Sequence, residues 1–354
     1  MPFSTLKSLV RSGLYHGGFL GLLHRWSNRR NLTVVMFHSV LTGRDPRWET
    51  AEDDYTMRDT DFEHCLRFFN RHYSPVSLSQ LRAAWNGETG LPPCPLLVTF
   101  DDGWLDNLTV ALPILEKHRM PATIFVASSV LDSDDDIWWH DIVVYGWNSG
   151  VLNTTAFIDF RRAIGLAAEN SAEQPWRADV TLLDVIVAAA RLDAPARHAF
   201  LLPLTKSHHF APPREMLDQS AFDKLARHPL IAIGAHGHNH LPMTYLADAE
   251  PELSIPKLRL KSRTEGPSAD DLISMSFPHG RYDHNLVSQA HSLGYELVFT
   301  SDVVVNPVDR MTNSALGRID IPSAQILDPR GEFAAERLAT WLFTRPARRL
   351  SPIA

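Results

Sequence analysis

The sequence predicts an α/β fold built on a mostly parallel sheet, and two patterns lead to this prediction. Short apolar runs of strand length alternate along the chain with segments whose apolar residues recur at helical spacing. Strands that alternate with helices are typical of parallel sheets, because a crossover helix returns the chain to the same end of the sheet. Reactive polar side chains also follow several of the runs directly, at the end where parallel α/β sheets and β/α barrels carry their active sites.

The predicted strands are apolar runs that are flanked on both sides by proline, glycine or polar residues. They are Leu32–Phe37, Leu96–Phe100, Ala122–Val126, Ile231–Ala235, Leu272–Phe277 and Glu296–Thr300. Nearly continuous apolar character is typical of strands that are buried on both faces, as in a parallel sheet covered by helices.

Helices are predicted where apolar residues recur at three- and four-residue spacing, with a polar cap before them or a glycine after them. The apolar positions are Phe62, Leu66 and Phe69, then Leu108, Leu112 and Leu115, and finally the segment Asn285–Leu293. Thr60 or Asp61 is the candidate cap of the first helix, and Gly294 is the stop signal of the last.

An alanine-rich stretch at about 147–218 departs from this alternation and predicts a helical insertion in a domain spanning 31–330. Its apolar face consists of Leu182, Leu183, Val185, Ile186 and Ala189. The insertion is either a substrate lid or a structural elaboration that covers one side of the sheet. Residues 1–30 are interpreted as a basic amphipathic extension, and residues 331–354 as a basic tail.

Composition excludes several classes of protein. The chain has 354 residues, 44% of them hydrophobic, so it can bury a core of useful size. A net charge of −7 gives no basic footprint for nucleic acid, and no run of about 18 apolar residues predicts a membrane span. Cys65 and Cys94 are too few for a disulfide framework. We therefore expect a cytoplasmic protein.

The two ends of the chain are locally basic although the protein is acidic. Lys7, Arg11, Arg25, Arg29, Arg30 and Arg44 all precede Asp45, the first acidic residue, and the tail carries Arg337, Arg345, Arg348 and Arg349. The N-terminal segment is a capping helix, an interfacial amphipathic segment or a targeting peptide. Basic ends favour peripheral contact with an anionic inner membrane. The simpler explanation of the same residues is that they form two basic faces exposed to solvent.

Two adjacent carboxylates, Asp101 and Asp102, follow the predicted strand Leu96–Phe100 and precede Gly103. Side chains at neighbouring positions diverge, so one carboxylate is able to bind a metal ion while the other acts as a base. A turn built on Asp-Asp-Gly is the alternative explanation of this segment.

Three alternating histidines follow the strand Ile231–Ala235. His236 and His240 are four residues apart, and this spacing places two imidazoles on one side of a helical turn, within reach of one ion. His238 is expected to point elsewhere. Two histidines and one carboxylate form a common catalytic metal site, and imidazole suits zinc, cobalt, nickel or iron, among which the spacing does not choose.

Two further segments contribute candidates at strand ends. Pro278, His279 and Arg281 follow Leu272–Phe277 and are candidates for a pocket wall, with a proline-glycine turn as the alternative. His38 follows Leu32–Phe37. Because several reactive residues follow strands of one predicted sheet, we expect one site rather than unrelated turns.

With these residues the sequence resembles the NodB-homology polysaccharide deacetylases, carbohydrate esterase family four. Thr99–Gly103, His236–His240 and Phe277–Gly280 match the family's motifs in their order, and the resemblance extends from about Leu32 to Ser301 without the insertion. The early segment Met36–Val40 resembles the branch that acts on exported or lipid-linked polysaccharides.

The resemblance implies a distorted β/α barrel of seven or eight strands and metal-dependent removal of acetyl groups from N-acetylated sugars. Asp101 corresponds to the family's general base. Asp102, His236 and His240 correspond to its metal ligands. The backbone N–H at His279 corresponds to an oxyanion donor, and the side chain of His279 is a further candidate donor.

Two departures from the family pattern bear on the site. Ser276 stands where the family has an arginine that orients the base, which leaves Arg281 or Arg318 as a substitute. No Leu-x-His segment near the C-terminus supplies the usual general acid, so His38 is the candidate and His140 the second choice. Trp138 and Trp139 form either a sugar-stacking platform or a buried aromatic cluster.

Two other functions are compatible with this sequence. The first is an O-acetyl esterase, or an enzyme removing another acyl or a formyl group, because an ester needs less help from a general acid. The second is a non-catalytic glycan-binding protein on a decayed deacetylase fold. The intact Asp101, Asp102, His236 and His240 argue against this second alternative. The oligomeric state is left open.

Overall fold

The structure is a computed structural model, and it describes residues 3–49, 51–52, 54–132, 138–169, 174–207, 215–263, 272–310 and 315–347. The chain divides into two compact units. Unit 1 comprises Met1–Leu131 and Leu217–Ala354, and unit 2 comprises Asp132–Met216. Arg348 and Arg349 of the predicted basic tail lie outside the described residues.

Unit 1 is built on a curled sheet that has nine strands in the described part of the chain, and a separate pair of strands, β2 and β3, lies beside it. The strands are β1 Asn31–Phe37, β2 Ser39–Leu41, β3 Thr56–Arg58, β4 Ser74–Pro75, β5 Pro95–Phe100, β6 Ala122–Val126, β7 Ile231–Ala235, β8 Ser274–Ser276, β9 Leu297–Phe299, β10 Asn306–Pro307 and β11 Ile319–Asp320. The order across the sheet is β10-β1-β5-β6-β7-β8-β9, with β11 beside β1 and β4 beside β5.

The prediction of a mostly parallel, barrel-like α/β fold is confirmed. Within the described strands, only the pairing of β1 with β10 is antiparallel. Strands β8 and β9 are shorter than their apolar runs suggest. Leu272 and Phe277 lie beyond the two ends of β8 and are still buried in the core, so a buried apolar residue need not belong to the strand itself.

Fourteen α-helices are described in this part of the chain. They are α1 Phe3–His16, α2 Phe19–Ser27, α3 Asp59–His72, α4 Leu78–Trp85, α5 Leu112–His118, α6 Trp139–Asn148, α7 Ile158–Ala163, α8 Leu182–Ala190, α9 Ala194–Ser207, α10 Gln219–Ala226, α11 Glu250–Arg263, α12 His284–Ser292, α13 Ser323–Ile326 and α14 Ala335–Thr344. Among the described residues, no helix has both the length and the apolar character needed to cross a membrane.

The sequence predicted the position of helix α3 correctly but not its first residue. The expectation that Thr60 or Asp61 caps α3 is wrong, because the helix already begins at Asp59 and both residues lie in its first turn. There the carboxylate of Asp61 still interacts favourably with the positive end of the helix dipole. Gly294, with φ of 86°, follows α12 as predicted.

The core of unit 1 fixes the ends of β1 and β5. Phe37, the last residue of β1, pairs in register with Phe100, the last residue of β5. Phe62 of α3 packs against both rings, with centroids 5.1 Å from Phe37 and 5.7 Å from Phe100. The residues that follow the two strands therefore start from one rigid aromatic layer.

Unit 2 contains α6 to α9 around a core of its own, formed by Ile142, Val143, Val144, Leu152, Phe157, Phe160, Ile164, Val185, Ile186, Ala189, Leu201 and Leu204. Arg161 is fully buried in this unit and donates hydrogen bonds to the carbonyls of Leu152 and Thr154. A buried guanidinium with carbonyl partners ties the turn after α6 to α7.

A buried histidine connects α2 to the C-terminal helix. The ring of His24 is fully buried, stacks on Phe343 of α14 at 4.1 Å, and its Nε2 lies 3.2 Å from the carbonyl oxygen of His72. Burial lowers the pKa of His24 from 6.5 to about 4, and the hydrogen bond to His72 offsets only part of this shift. The folded protein therefore resists protonation of this ring.

We predict a stability change in acid that depends on His24. The unfolded chain takes up this proton near pH 6.5 and the folded chain only near pH 4. The stabilisation is thus complete above about pH 6.5 and is lost as the pH falls towards about 4. Between about pH 7 and pH 5, His24 should lower the free energy of unfolding by about 2 kcal/mol. Urea denaturation at both values checks this, with His24→Gln as the comparison. An equal pH slope in the two proteins would contradict it.

Candidate active site

The predicted carboxylates and histidines meet at the carboxyl ends of β5 and β7 in unit 1. Asp101 and Asp102 follow β5 directly, and His236 follows β7. All are buried, with Asp101 and His236 each only 2% exposed. Because β6 pairs with both β5 and β7 in parallel, their carboxyl ends lie at one edge of the sheet.

Asp102, His236 and His240 are arranged as three ligands of one metal ion. Oδ1 of Asp102 lies 3.4 Å from Nε2 of His236 and 3.2 Å from Nε2 of His240. Ligands about 2.1 Å from a tetrahedral zinc ion are about 3.4 Å from one another, so the spacing fits a metal. Oδ1 of Asp102 is also buried and accepts no hydrogen bond from the described residues. Burying a carboxylate oxygen without a hydrogen bond is costly, and a bound metal ion would compensate this cost.

The loop that carries both histidines is not helical, so the expectation that they share one helical turn is wrong. Residues 236–242 are irregular, and Gly237 and His240 have φ of 70° and 57°. These left-handed residues turn the chain back on itself, which brings the two imidazoles to a centroid distance of 5.0 Å. His238 points away, as expected, and its Nδ1 lies 2.8 Å from Oγ of Ser128.

Glu252 of α11 holds this loop and was not predicted from the sequence. Its carboxylate is 3% exposed and accepts hydrogen bonds from the backbone N–H groups of His238 and Asn239 at 2.9 to 3.1 Å. A Cβ at position 237 would approach Oε2 of Glu252 to 2.8 Å, so glycine is required for this contact. Nothing in the local sequence distinguishes Glu252 from a solvated helix residue.

Polar neighbours orient two of the three ligands. Nδ1 of His236 donates to the carbonyl of Ser276 at 3.0 Å, and Oγ of Ser276 lies 2.6 Å from the same nitrogen. Since a carbonyl only accepts, this bond places a hydrogen on Nδ1, so Nε2 is the nitrogen that faces Asp102. Nε1 of Trp104 donates to Oδ2 of Asp102 at 3.0 Å. This hydrogen bond leaves Oδ1 as the oxygen that is available to an ion.

Asp101 is held by an arginine from a distant part of the chain. Nη1 of Arg318 donates to Oδ1 of Asp101 at 2.6 Å, and Nη2 donates to Oδ2 at 2.7 Å. Arg318 is 1% exposed, and its Nε donates to the carbonyl of Thr300 at 3.0 Å. Of the two candidate substitutes for the family arginine, Arg318 therefore contacts Asp101. The guanidinium of Arg281 instead lies 6.0 Å from the ring of Tyr245.

Both carboxylates are kept ionised although they are buried. Burial raises the pKa of Asp101, but the charges of Arg318 and then His236 outweigh it, so its pKa lies below the usual value. Burial likewise raises the pKa of Asp102, and His240 and His236 together bring it well below the usual value. One carboxylate pairs with a guanidinium and the other faces two imidazoles, so the two neighbouring carboxylates have different electrostatic surroundings.

His38 follows β1 on the same side of the sheet. Nδ2 of Asn107 donates to its carbonyl at 2.9 Å, and its ring packs edge-on against Tyr55. Because β1 and β5 pair in parallel, His38 and the two carboxylates follow strands that end at the same edge of the sheet.

A buried aspartate fixes the backbone just after His38. Asp106 accepts hydrogen bonds from the N–H of Val40 at 2.8 Å and from Oγ of Ser39 at 2.9 Å, and Nη1 of Arg47 lies 3.1 Å away. Burial raises the pKa of Asp106 to about 6, and Arg47 offsets part of this shift. Asp106, in the segment after β5, thus fixes the backbone of Ser39 and Val40, in the segment after β1.

The third motif lies against the histidine loop. Pro278–Gly280 forms a short 3₁₀ turn in which His279 has φ of 55°. Nε2 of His279 donates to the carbonyl of His240 at 3.2 Å, and the two rings are 4.3 Å apart. This contact places Pro278 and His279 at the side of the site, whereas their role towards an oxyanion stays a prediction.

Trp138, Trp139 and His140 belong to unit 2. The ring of His140 stacks on Trp138 at 4.9 Å and packs edge-on against Trp139 at 5.8 Å. The guanidinium of Arg197 lies 4.4 Å from the Trp139 ring. These residues form one aromatic cluster within the unit, and their role in sugar stacking or proton donation stays a prediction.

Comparison with known proteins supports the interpretation of the fold and of the carboxylate segment. Residues 90–148 match the family model of polysaccharide deacetylases. A segment of 64 residues is 38% identical to the poly-beta-1,6-N-acetyl-D-glucosamine N-deacetylase of Escherichia coli K12. That alignment covers 18% of this chain and 10% of the E. coli protein.

Two solved structures share the fold over most of the chain. The deacetylase PplD of Streptococcus pyogenes, in complex with acetate, has a TM-score of 0.54 and 16% identity over 88% of this chain and 98% of its own. A de-N-acetylase of Aggregatibacter actinomycetemcomitans has a TM-score of 0.52 and 15% identity over 82% and 94%. The chain therefore has the fold of these deacetylases, as the order of its motifs predicted.

We predict that Ser276 tunes metal affinity through His236. Ser276→Ala removes the hydroxyl beside Nδ1 but keeps the carbonyl, so zinc affinity should fall about tenfold. Competition with a chromophoric chelator measures this, and Ser274→Ala in the same strand is the matched control. Unchanged affinity in Ser276→Ala would show that its hydroxyl does not support the ligand.

Proposed function

We propose that this protein is a metal-dependent hydrolase that removes N-acetyl groups from the sugars of a polysaccharide or lipid-linked glycan and releases acetate. The observation that carries this proposal is the buried pair Asp101 and Asp102, in which one carboxylate is paired with Arg318 and the other faces two imidazoles. The match to polysaccharide deacetylases over residues 90–148 and the similarity to an N-deacetylase support the same reaction.

Asp102, His236 and His240 would hold the metal ion, with zinc as the first candidate and cobalt or nickel as alternatives. Two imidazoles and one carboxylate are a ligand set typical of catalytic zinc, with a coordination position left for water. When bound, such an ion lowers the pKa of its water and polarises the substrate carbonyl. The described residues around it are buried, so little bulk water competes at the site.

Asp101 would act as the general base. Its carboxylate is ionised and held by two hydrogen bonds from Arg318, so it is ready to accept a proton from the attacking water. Arg318 fixes the orientation of both oxygens and keeps them from rotating. The carboxylate of Asp102 is only one residue away but faces the imidazoles, so it does not compete for this proton.

His38 would donate a proton to the leaving nitrogen, and the backbone N–H at His279 would bind the oxyanion. An amide nitrogen is a poor leaving group without a proton, so a general acid is needed for this reaction. His38 follows β1 at the same edge of the sheet as both carboxylates, and Asp106 and Asn107 fix the backbone around it. His140, the second candidate, belongs to unit 2.

We further propose that the enzyme works in envelope glycan or exopolysaccharide synthesis, from a peripheral position at the inner face of a membrane. The basic N-terminal residues Arg25, Arg29 and Arg30 are exposed, which is compatible with contact to anionic lipids. A lipid-linked sugar would present its acetyl group near such a surface.

The central prediction concerns acetate release and the role of Asp101. The zinc-loaded protein should release acetate from N-acetylglucosamine oligomers, and Asp101→Asn should lower kcat by about 10³-fold while zinc stays bound. Elemental analysis of the wild type, Asp101→Asn and His236→Ala separates the two effects, because only His236→Ala should lose the ion.

The substrate panel for this assay includes O-acetylated sugars. Faster turnover of O-acetyl than of N-acetyl substrates would reassign the enzyme as an esterase. Retention of glycan binding with no turnover of either substrate by the zinc-loaded wild type would identify a binding protein and overturn the proposal.

A second prediction concerns Arg318 as a positioning residue. Arg318→Lys keeps the charge but cannot form two parallel hydrogen bonds, so kcat should fall about 100-fold with little change in KM. Arg82→Lys is the matched control, since Arg82 makes a similar two-bond contact with Glu296 elsewhere in unit 1. Equal activity of Arg318→Lys and the wild type would rule out an orienting role.

A further inference from the structure

Exposed large apolar side chains are concentrated at the N-terminus of the chain. In the described residues they are Val10, Leu14, Phe19, Leu22, Trp26, Tyr55, Tyr245 and Leu258. The first five lie in α1 and α2, within a short segment of unit 1. Scattered apolar residues on a surface need no explanation, but a local concentration marks an interaction site.

Helix α2 has two apolar faces, and only one of them belongs to the core. Leu20 and His24, four residues apart, are buried, and His24 packs against Phe343. Phe19, Leu22 and Trp26 have the i, i+3, i+7 spacing of a second face, and they are 56%, 68% and 84% exposed. A helix that only covers the core would carry polar residues on this outer face.

Cations surround the exposed apolar residues of α2. Arg25 lies between Leu22 and Trp26, and Arg29 and Arg30 follow the end of the helix; all of these arginines are exposed. The first acidic residue of the chain is Asp45, although the whole protein has a net charge of −7. The positive charge is therefore concentrated in this N-terminal segment and is not a property of the whole protein.

We infer that α1 and α2 form a docking surface for an anionic phospholipid membrane. Its residues are Val10, Leu14, Phe19, Leu22, Trp26, Arg25, Arg29 and Arg30, which we call the α1–α2 surface. The apolar side chains enter the boundary between headgroups and acyl chains, where tryptophan is favoured, and the arginines bind lipid phosphates. A helix of nine residues is too short to span a bilayer, so α2 lies in the plane of the interface.

Charge complementarity selects a membrane over a protein partner. An apolar protein partner would need the outer face of α2 but not the basic cluster next to it. An anionic bilayer requires both, since cations attract it and apolar side chains anchor the helix after contact. The α1–α2 surface rests on the membrane position proposed above and gives it its contact residues, but it is independent of the proposed reaction, because membrane binding needs no turnover.

Vesicle binding by the full chain tests the α1–α2 surface. The protein should sediment with vesicles that contain phosphatidylglycerol and not with phosphatidylcholine alone, and salt should weaken the binding. Leu22→Ser/Trp26→Ser should lower the affinity about 100-fold, because two large side chains no longer leave water. Arg25→Glu/Arg29→Glu should lower it at least about tenfold.

The matched controls are exposed residues of unit 1 outside this surface. Leu258, which is 71% exposed, supplies the apolar control Leu258→Ser, and Lys224→Glu/Arg227→Glu supplies the charge control. Both controls should bind vesicles like the wild type. All the substituted side chains are exposed, and thermal unfolding checks that every variant is folded.

Several results would overturn the inference. They are failure of the wild type to bind anionic vesicles, equal binding to neutral vesicles, or equal losses in the α1–α2 and control variants. If the wild type self-associates and Leu22→Ser/Trp26→Ser abolishes this without any vesicle binding, the surface joins copies of the chain instead. Since no substrate is used, failure here and failure of the deacetylase proposal are distinguishable.

Discussion

The burial of two neighbouring carboxylates is the constraint on which the candidate active site depends. An ionised carboxylate removed from water is costly unless opposite charge and hydrogen bonds compensate it. Asp101 is compensated by two bonds from Arg318, and Asp102 by Trp104 on one oxygen and by two imidazoles on the other. Because the compensation differs, adjacent residues of the same type acquire different chemistry.

The groups that compensate this charge come from distant parts of the sequence. Arg318 is separated from Asp101 by 217 residues, and Ser276 from His236 by 40. A parallel sheet allows residues that are distant in the sequence to meet, because it brings the carboxyl ends of its strands to one edge. The cost of shaping the loops there is visible in the left-handed backbone of Asp102, His240 and His279.

The two faces of helix α2 have different environments. The inner face of α2 binds the core through His24, whose burial lowers its pKa to about 4. The outer face is apolar, flanked by cations and exposed. Anchoring the helix on one side makes the other side rigid, and a preorganised apolar face loses less conformational entropy when it binds a surface.

The sequence by itself determined the parts of this protein that depend on local pattern. Six of the described strands, the stop of α12 at Gly294 and the reactive residues after β5 and β7 follow from periodicity, turn chemistry and order along the chain. The resemblance to deacetylases rested on the same short motifs. These features are encoded by neighbouring residues, so they are readable without tertiary structure.

Only the tertiary structure decided which distant groups complete the site. It distinguished Arg318 from Arg281, introduced Trp104 and Glu252, and replaced the expected helical turn at His236 and His240 by a loop. The physical reason is that these contacts depend on strand order and on loops folding back against other elements. A spacing of four residues permits both a helix and a loop, and the carboxylate of Glu252, bound to the loop backbone, stabilises the loop.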